Sequence, residues 1–139
     1  MLYLIIGAIS SAFAALIHVG CIIFGAKWYL FFGASQRMAN WADEGNIKHI
    51  LITTPIVVVL FAWSAYALSG AGIILTLPLL KWALIAITAA YSIRGLYGFY
   101  FVFNPSGQNS AKAWFYSSIV SLSFGIVHLI GLLQVWDNI

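Results

Sequence analysis

Four stretches of this chain, roughly 2–24, 50–68, 79–101 and 113–136, run with almost no charged residue to interrupt them. A hydrocarbon core of ~30 Å needs about 20 apolar residues of helix to cross it. A membrane-barrel strand would instead alternate over about ten residues. These runs are continuous and too long for that, so they read as helices. Nor can they be the core of a soluble domain. Of the 139 residues, 63% are hydrophobic and 6% are charged, against about 25% charged in soluble domains. A chain of this size buries only about 60–70% of its unfolded surface, so the excess apolar surface must face lipid. A soluble enzyme, a nucleic-acid-binding domain and a disordered tail are excluded. The first run has no basic segment before it and continues to about Ala26, too long for a signal-peptide core, so it is expected to remain as the first span.

The expected fold is therefore all-α: a polytopic integral membrane protein, one domain over 1–139. Ser69-Gly70-Ala71-Gly72 through Pro78 separates the second run from the third, and Asn104-Pro105-Ser106-Gly107-Gln108-Asn109 the third from the fourth. Both are turn-forming compositions. Short links make antiparallel neighbours, hence an up-and-down four-helix bundle. Pro55 falls in the first turn or so of the second span, where proline is tolerated.

The segment 27–49 is too long for a turn and too apolar for a solvated loop. Trp28, Tyr29, Leu30, Phe31 and Phe32 come first, followed by Gln36, Arg37, Asn40, Asp43 and Glu44. Met38 and Trp41 are three apart, and the polar residues fall at three- and four-residue spacing. This predicts an amphipathic helix in the headgroup layer, either an aromatic anchor or a lid over the bundle end. With the N-terminus on face A, face B carries Lys27, Arg37, Lys48 and Lys112, and face A carries Lys81. The positive-inside rule then puts 27–49 in the cytoplasm and both termini outside.

Ionisable side chains within a span are costly and point to function. His18, Arg94 and His128 are the candidates. At ~1.5 Å per residue, His18 and Arg94 lie about 24 and 21 Å from face A, and His128 about 22 Å from face B. The span histidines are thus offset by roughly 16 Å in depth, which argues against a shared haem or metal. Gly7, Ser11, Ala14, His18, Cys21 and Gly25 recur at helical steps, and Ser118, Ser121, Gly125 and His128 repeat the idea. Such small-residue stripes allow close helix approach. Each histidine could equally be a polar side chain donating to a neighbouring carbonyl.

Arg94 is always charged, yet the only acids are Asp43, Glu44 and Asp137, and none lies in a span. It must snorkel towards face B, bond carbonyls or the Tyr91 and Tyr97 hydroxyls, pair with Asp43 or Glu44, or hold an anion such as a lipid phosphate. His18, Cys21 and His49, with Asp43 or Glu44, offer a donor set suited to zinc or another transition metal, though the spacing matches no compact motif. The single cysteine excludes an internal disulfide. The six basic residues are scattered, so no nucleic-acid footprint is present. No triad, phosphate loop or paired carboxylates stand out, so no catalytic residues and no cofactor are expected.

The stretch Leu16-Ile17-His18-Val19-Gly20-Cys21 through Phe24-Gly25-Ala26, then Trp28-Tyr29-Leu30-Phe31-Phe32-Gly33 and Gln36-Arg37-Met38-Ala39, is similar to small bacterial four-helix inner-membrane proteins of unassigned activity and resembles the AciT type of trimeric Acinetobacter envelope protein. The resemblance implies a bacterial inner membrane, a homo-oligomer, most simply a trimer, and a role in cell-envelope upkeep. It brings no catalytic residues. The expectation is a non-enzymatic oligomer contacting lipid, ligand or partner through a polar layer of His18, Arg94, Asp43, Glu44 and His49. The alternatives are a small-molecule or ion carrier or channel, and a metal-binding redox or sensing protein built on His18, Cys21 and His49.

Overall fold

The computed structural model describes residues 1–32, 34–104 and 111–139. Among them every regular element is helical: α1 (Leu2–Phe24), α2 (Ala26–Phe31), α3 (Gln36–Asp43), α4 (Lys48–Gly70), α5 (Leu80–Phe103), α6 (Ala111–Val135) and a closing 3-10 turn (Trp136–Asn138). α1, α4, α5 and α6 are each long and apolar enough to cross a membrane, with mean hydropathies of 2.1, 2.0, 1.2 and 1.9. This is the expected all-α, multi-pass membrane architecture. The helices overrun the apolar runs, most clearly at Lys48 and Gly70 of α4, because helical hydrogen bonding remains the cheapest way to satisfy the backbone where the chain leaves lipid. Pro55 is consequently well inside α4, where it cannot supply the N–H that the Leu51 carbonyl would otherwise accept. The expected 104–109 turn lies, beyond Asn104, outside the described residues.

The spans form a ring in chain order. α1 packs mainly on α4, and α5 still more extensively on α6; α1 also meets α6, while α4 and α5 touch along a thinner seam. Small and polar side chains face inwards: Gly7, Ala8 and Ser11 on α1, Thr53 and Ser64 on α4, Ser118, Ser121 and Gly125 on α6. Large apolar ones face out, among them Phe13, Leu51, Val58, Leu96 and Leu133. With lipid outside there is no hydrophobic drive to bury them, and close backbone packing holds the helices instead. A Cβ on Gly95 would come within 2.8 Å of the Leu122 backbone, and one on Gly125 within 3.0 Å of the Ser92 backbone. These two glycines set how tightly α5 and α6 approach and fix their antiparallel register.

The buried face of α1 is Leu4, Gly7, Ala8, Ser11 and Ala15; α5 buries Leu84, Ile87, Thr88, Tyr91 and Gly95 at the same spacing. The expected α1 stripe therefore holds at Gly7, Ser11 and Cys21, while Ala14, His18 and Gly25 are only half-buried. Towards its end, α1 is covered at Gly20 and Cys21 by Trp28 and Tyr29 instead of by another span.

The single interfacial helix expected over 27–49 is instead two short helices, α2 and α3, and His49 belongs to α4. Gly25, at φ 80°, ends α1 in a conformation that favours glycine. Ser35 starts α3 by accepting a hydrogen bond from the Met38 N–H at 3.3 Å, a standard helix cap. The amphipathic pattern holds within α3: Ala39 is buried with Met38 and Ala42 against it, and Gln36, Arg37, Asn40 and Asp43 are exposed. The pair packs together and rests on the face-B ends of α1 and α4.

Candidate functional site

Three polar clusters interrupt the apolar interior. The first surrounds Arg94. Its guanidinium donates to Ser117 Oγ at 2.7 Å and stands 5.0 Å above the Trp114 ring and 5.4 Å from that of Tyr97. The Gly95–Leu122 register places Ser117 and Trp114 further towards face B than the Arg94 backbone, so the side chain leans that way, as snorkelling requires. The head does not reach open interface; α6 holds it. Arg94 Nη1, Trp114 Nε1 and Ser118 Oγ are all buried without a hydrogen-bond partner. Gly98 makes room for this group, since a Cβ there would strike both Ser118 and Arg94 Nη1.

The expected pairing of Arg94 with Asp43 or Glu44 does not form. Both acids are exposed, at the C-terminal end of α3, and α3 rests on the α1–α4 half of the bundle, whereas Arg94 is held in the α5–α6 half. Among the described residues its contacts are a hydroxyl and two aromatic faces. An arginine at mid-membrane costs about 2.5–3.5 kcal/mol on insertion scales. A charge-assisted hydrogen bond returns about 1.5–3 kcal/mol and a cation–π contact about 0.5–2 kcal/mol. The cation is therefore roughly offset in energy, yet it remains uncompensated in charge.

Beside it, a cleft of about 370 Å³ opens along the thin α4–α5 seam. Pro55, Val59 and Trp63 of α4 form one wall; Ala90 and Arg94 of α5, with Ser121 behind them, form the other. A larger hollow of about 580 Å³ lies at face A, where the Lys81 ammonium rests over the Trp136 ring at 4.1 Å.

The second cluster lies on the bundle axis. Ser11 and Tyr91 hydroxyls bond at 2.8 Å, Ser121 donates to the Tyr91 carbonyl at 2.9 Å, and the Tyr91 and His128 rings stand 5.1 Å apart. His128, only 1% exposed, donates from Nδ1 to the Phe124 carbonyl at 2.8 Å. Its Nε2 is buried without a partner, against the α1 backbone at Gly7.

The third lies beneath α2 and α3. Tyr29 Oη is 3.0 Å from both His49 Nδ1 and Thr53 Oγ1, and Tyr29 packs with Cys21. The three can bond together, with Thr53 donating to Tyr29 and Tyr29 donating to the His49 ring nitrogen. Burial raises the Tyr29 pKa above its ordinary value, the Thr53 hydrogen bond opposes this, and Cys21 adds to it.

His18 does not join Arg94 in one site. Its Nδ1 donates to the Ala14 carbonyl of its own helix at 2.7 Å, whereas the partners of Arg94 are on α5 and α6, so the two share none. The expected metal set of His18, Cys21 and His49 also fails to form. Among the described residues no three of His, Cys, Asp and Glu converge on a metal position: His18 is turned to its own backbone, and Tyr29 occupies His49 Nδ1. The residues that sequence reasoning missed are Trp114 and Ser117 around Arg94, and Tyr29 and Thr53 around His49. The α5–α6 pair had a usable signal in Gly95, Gly98 and Gly125, which fix the register that brings Ser117 to Arg94. Comparison with protein-family models, curated proteins and solved structures finds no match to this chain.

Proposed function

We propose that this chain is a non-catalytic, multi-pass protein of a bacterial inner membrane. In this reading it works as a homo-oligomer, most simply a trimer, in upkeep of the cell envelope, and its point of recognition is Arg94. One observation carries the proposal: a permanent cation is held inside the span layer by Ser117, Trp114 and Tyr97, with no carboxylate among its contacts in the described residues. An anion beside Arg94 would complete the charge, and the enclosed donors of Trp114 and Ser118, without partners among the described residues, would add hydrogen bonds once their side chains turn to it. The four apolar spans support a membrane setting, and the excess of basic residues on face B supports a cytoplasmic α2–α3 pair.

The test is complementation in the host of origin. Loss of the protein should make the envelope leaky to detergent. The wild-type chain should restore resistance, and an Arg94→Gln chain that inserts to the same level should not. Full rescue by Arg94→Gln would remove Arg94 from the function. An envelope indifferent to loss of the protein would remove the envelope role.

A further inference from the structure

Resting on the reading of Arg94 as an anion contact, we infer that the occupant is an anionic phospholipid of the face-B leaflet, with one acyl chain lying in the α4–α5 cleft. Shape comes first. From Pro55 to Trp63 the cleft follows α4 for about 12 Å. Its volume of about 370 Å³ spread over that length gives a slot about one hydrocarbon chain wide. Its walls are the side chains of Pro55, Val59, Trp63 and Ala90 and the methylene stem of Arg94. The volume is within the range of ligand sites, about 300–1,000 Å³.

Direction comes second. The stem of Arg94 borders the slot, while its guanidinium reaches past it towards face B, to Ser117. A lipid of that leaflet has its headgroup towards face B and its chains towards the midplane, so head and chain meet cation and slot in the right order. The phosphate meets the half-buried Arg94 side chain at the edge of the slot; among the described residues Arg94 Nη1, Trp114 Nε1 and Ser118 Oγ are enclosed without a hydrogen-bond partner, and they join the contact only when these side chains turn towards the anion.

Charge selects lipid over a second copy of the chain. The acids of this sequence are Asp43, Glu44 and Asp137. Asp43 and Glu44 lie at the end of α3, outside the spans, and Asp137 lies in the closing turn at the opposite face. A neighbouring copy could fill the slot with a side chain but could bring no carboxylate to the depth of Arg94. A phospholipid brings both parts.

The test compares lipid retention by native mass spectrometry of the whole protein in mild detergent. The probes are phosphatidylglycerol and phosphatidylcholine with identical chains, and inorganic phosphate. Wild type should retain phosphatidylglycerol about tenfold better than phosphatidylcholine, because both offer a phosphate to Arg94 but phosphatidylcholine brings a second cation beside it. Arg94→Gln should abolish that preference. Ala90→Phe fills the slot without touching the guanidinium, and should lose phosphatidylglycerol while leaving the oligomer unchanged; Val59→Phe fills it from the other wall. In wild type, phosphatidylglycerol with a photoreactive group at mid-chain should crosslink within 55–63.

Several results overturn the inference. If both filled variants retain phosphatidylglycerol as wild type does, or if crosslinks avoid 55–63, the chain is not in the slot, although the anion contact survives. If inorganic phosphate competes fully and chain length has no effect, the site takes a free anion. If filling the slot changes the oligomer, a second copy occupies it. If Arg94→Gln leaves the preference intact, the anion reading fails as well.

Discussion

Tyr29 shows how one side chain can hold an element in place. Its hydroxyl joins α2 to His49 and Thr53 of α4. Tyr29→Phe keeps the ring but strands two buried polar groups, and should cost about 1–3 kcal/mol, read as a lower melting temperature and faster proteolysis within 32–47. The pH dependence follows from the raised Tyr29 pKa. A group whose pKa rises on folding contributes stability that is intact below its unfolded value, about 10 for tyrosine, and is lost as pH rises through the folded value. Docking of α2 and α3 should therefore be insensitive to this group at neutral pH and loosen only in alkali above about pH 10, and the variant should lack that alkaline step. Arg94 was legible in the sequence because a charge inside an apolar run has few explanations. His18 was open to two readings, a site residue or a side chain bonded to a carbonyl, and residue identity does not choose between them; the carbonyl is that of Ala14 on its own helix.

The spans were legible as elements because length and hydropathy decide them. The α2–α3 pair was legible only in composition. Its aromatic first half and polar second half look like one amphipathic stretch until the Gly25 break and the Ser35 cap divide it. The partners of Arg94 depend on helix register, which small residues encode and hydropathy does not. That register is testable. Gly95→Leu puts a side chain where the Leu122 backbone lies and should cost about 1–3 kcal/mol or more through overpacking. It should also separate Ser117 from Arg94. Cysteines replacing Phe99 and Phe115, whose rings pack across the hairpin, should be joined readily by a short bifunctional thiol reagent in the parent and poorly in the Gly95→Leu background. Equal crosslinking would show that the hairpin tolerates the change.

At the scale of the molecule, orientation and assembly rest on charge and surface. Face B gathers Lys27, Arg37, Lys48 and Lys112, so cysteines replacing Lys48 or Lys112 should resist an impermeant reagent in intact cells and react after lysis. Ready labelling in intact cells would invert the topology. The proposed trimer should survive as a three-chain ion in native mass spectrometry, and a purely monomeric spectrum in several mild detergents would discard it.

The shared inward spacing of α1 and α5 has a consequence for biogenesis. Each of these helices leads its own hairpin, α1 with α4 and α5 with α6, and packing within a hairpin exceeds packing between the two. The ribosome can therefore deliver two self-sufficient insertion units in turn, and the seam that contains the cleft closes last. Encoding 1–74 and 75–139 as separate messages in one cell should then yield a reassembled bundle that co-purifies through either half. Two halves that are each degraded, even when made together, would show that the first hairpin needs the second before it leaves the translocon.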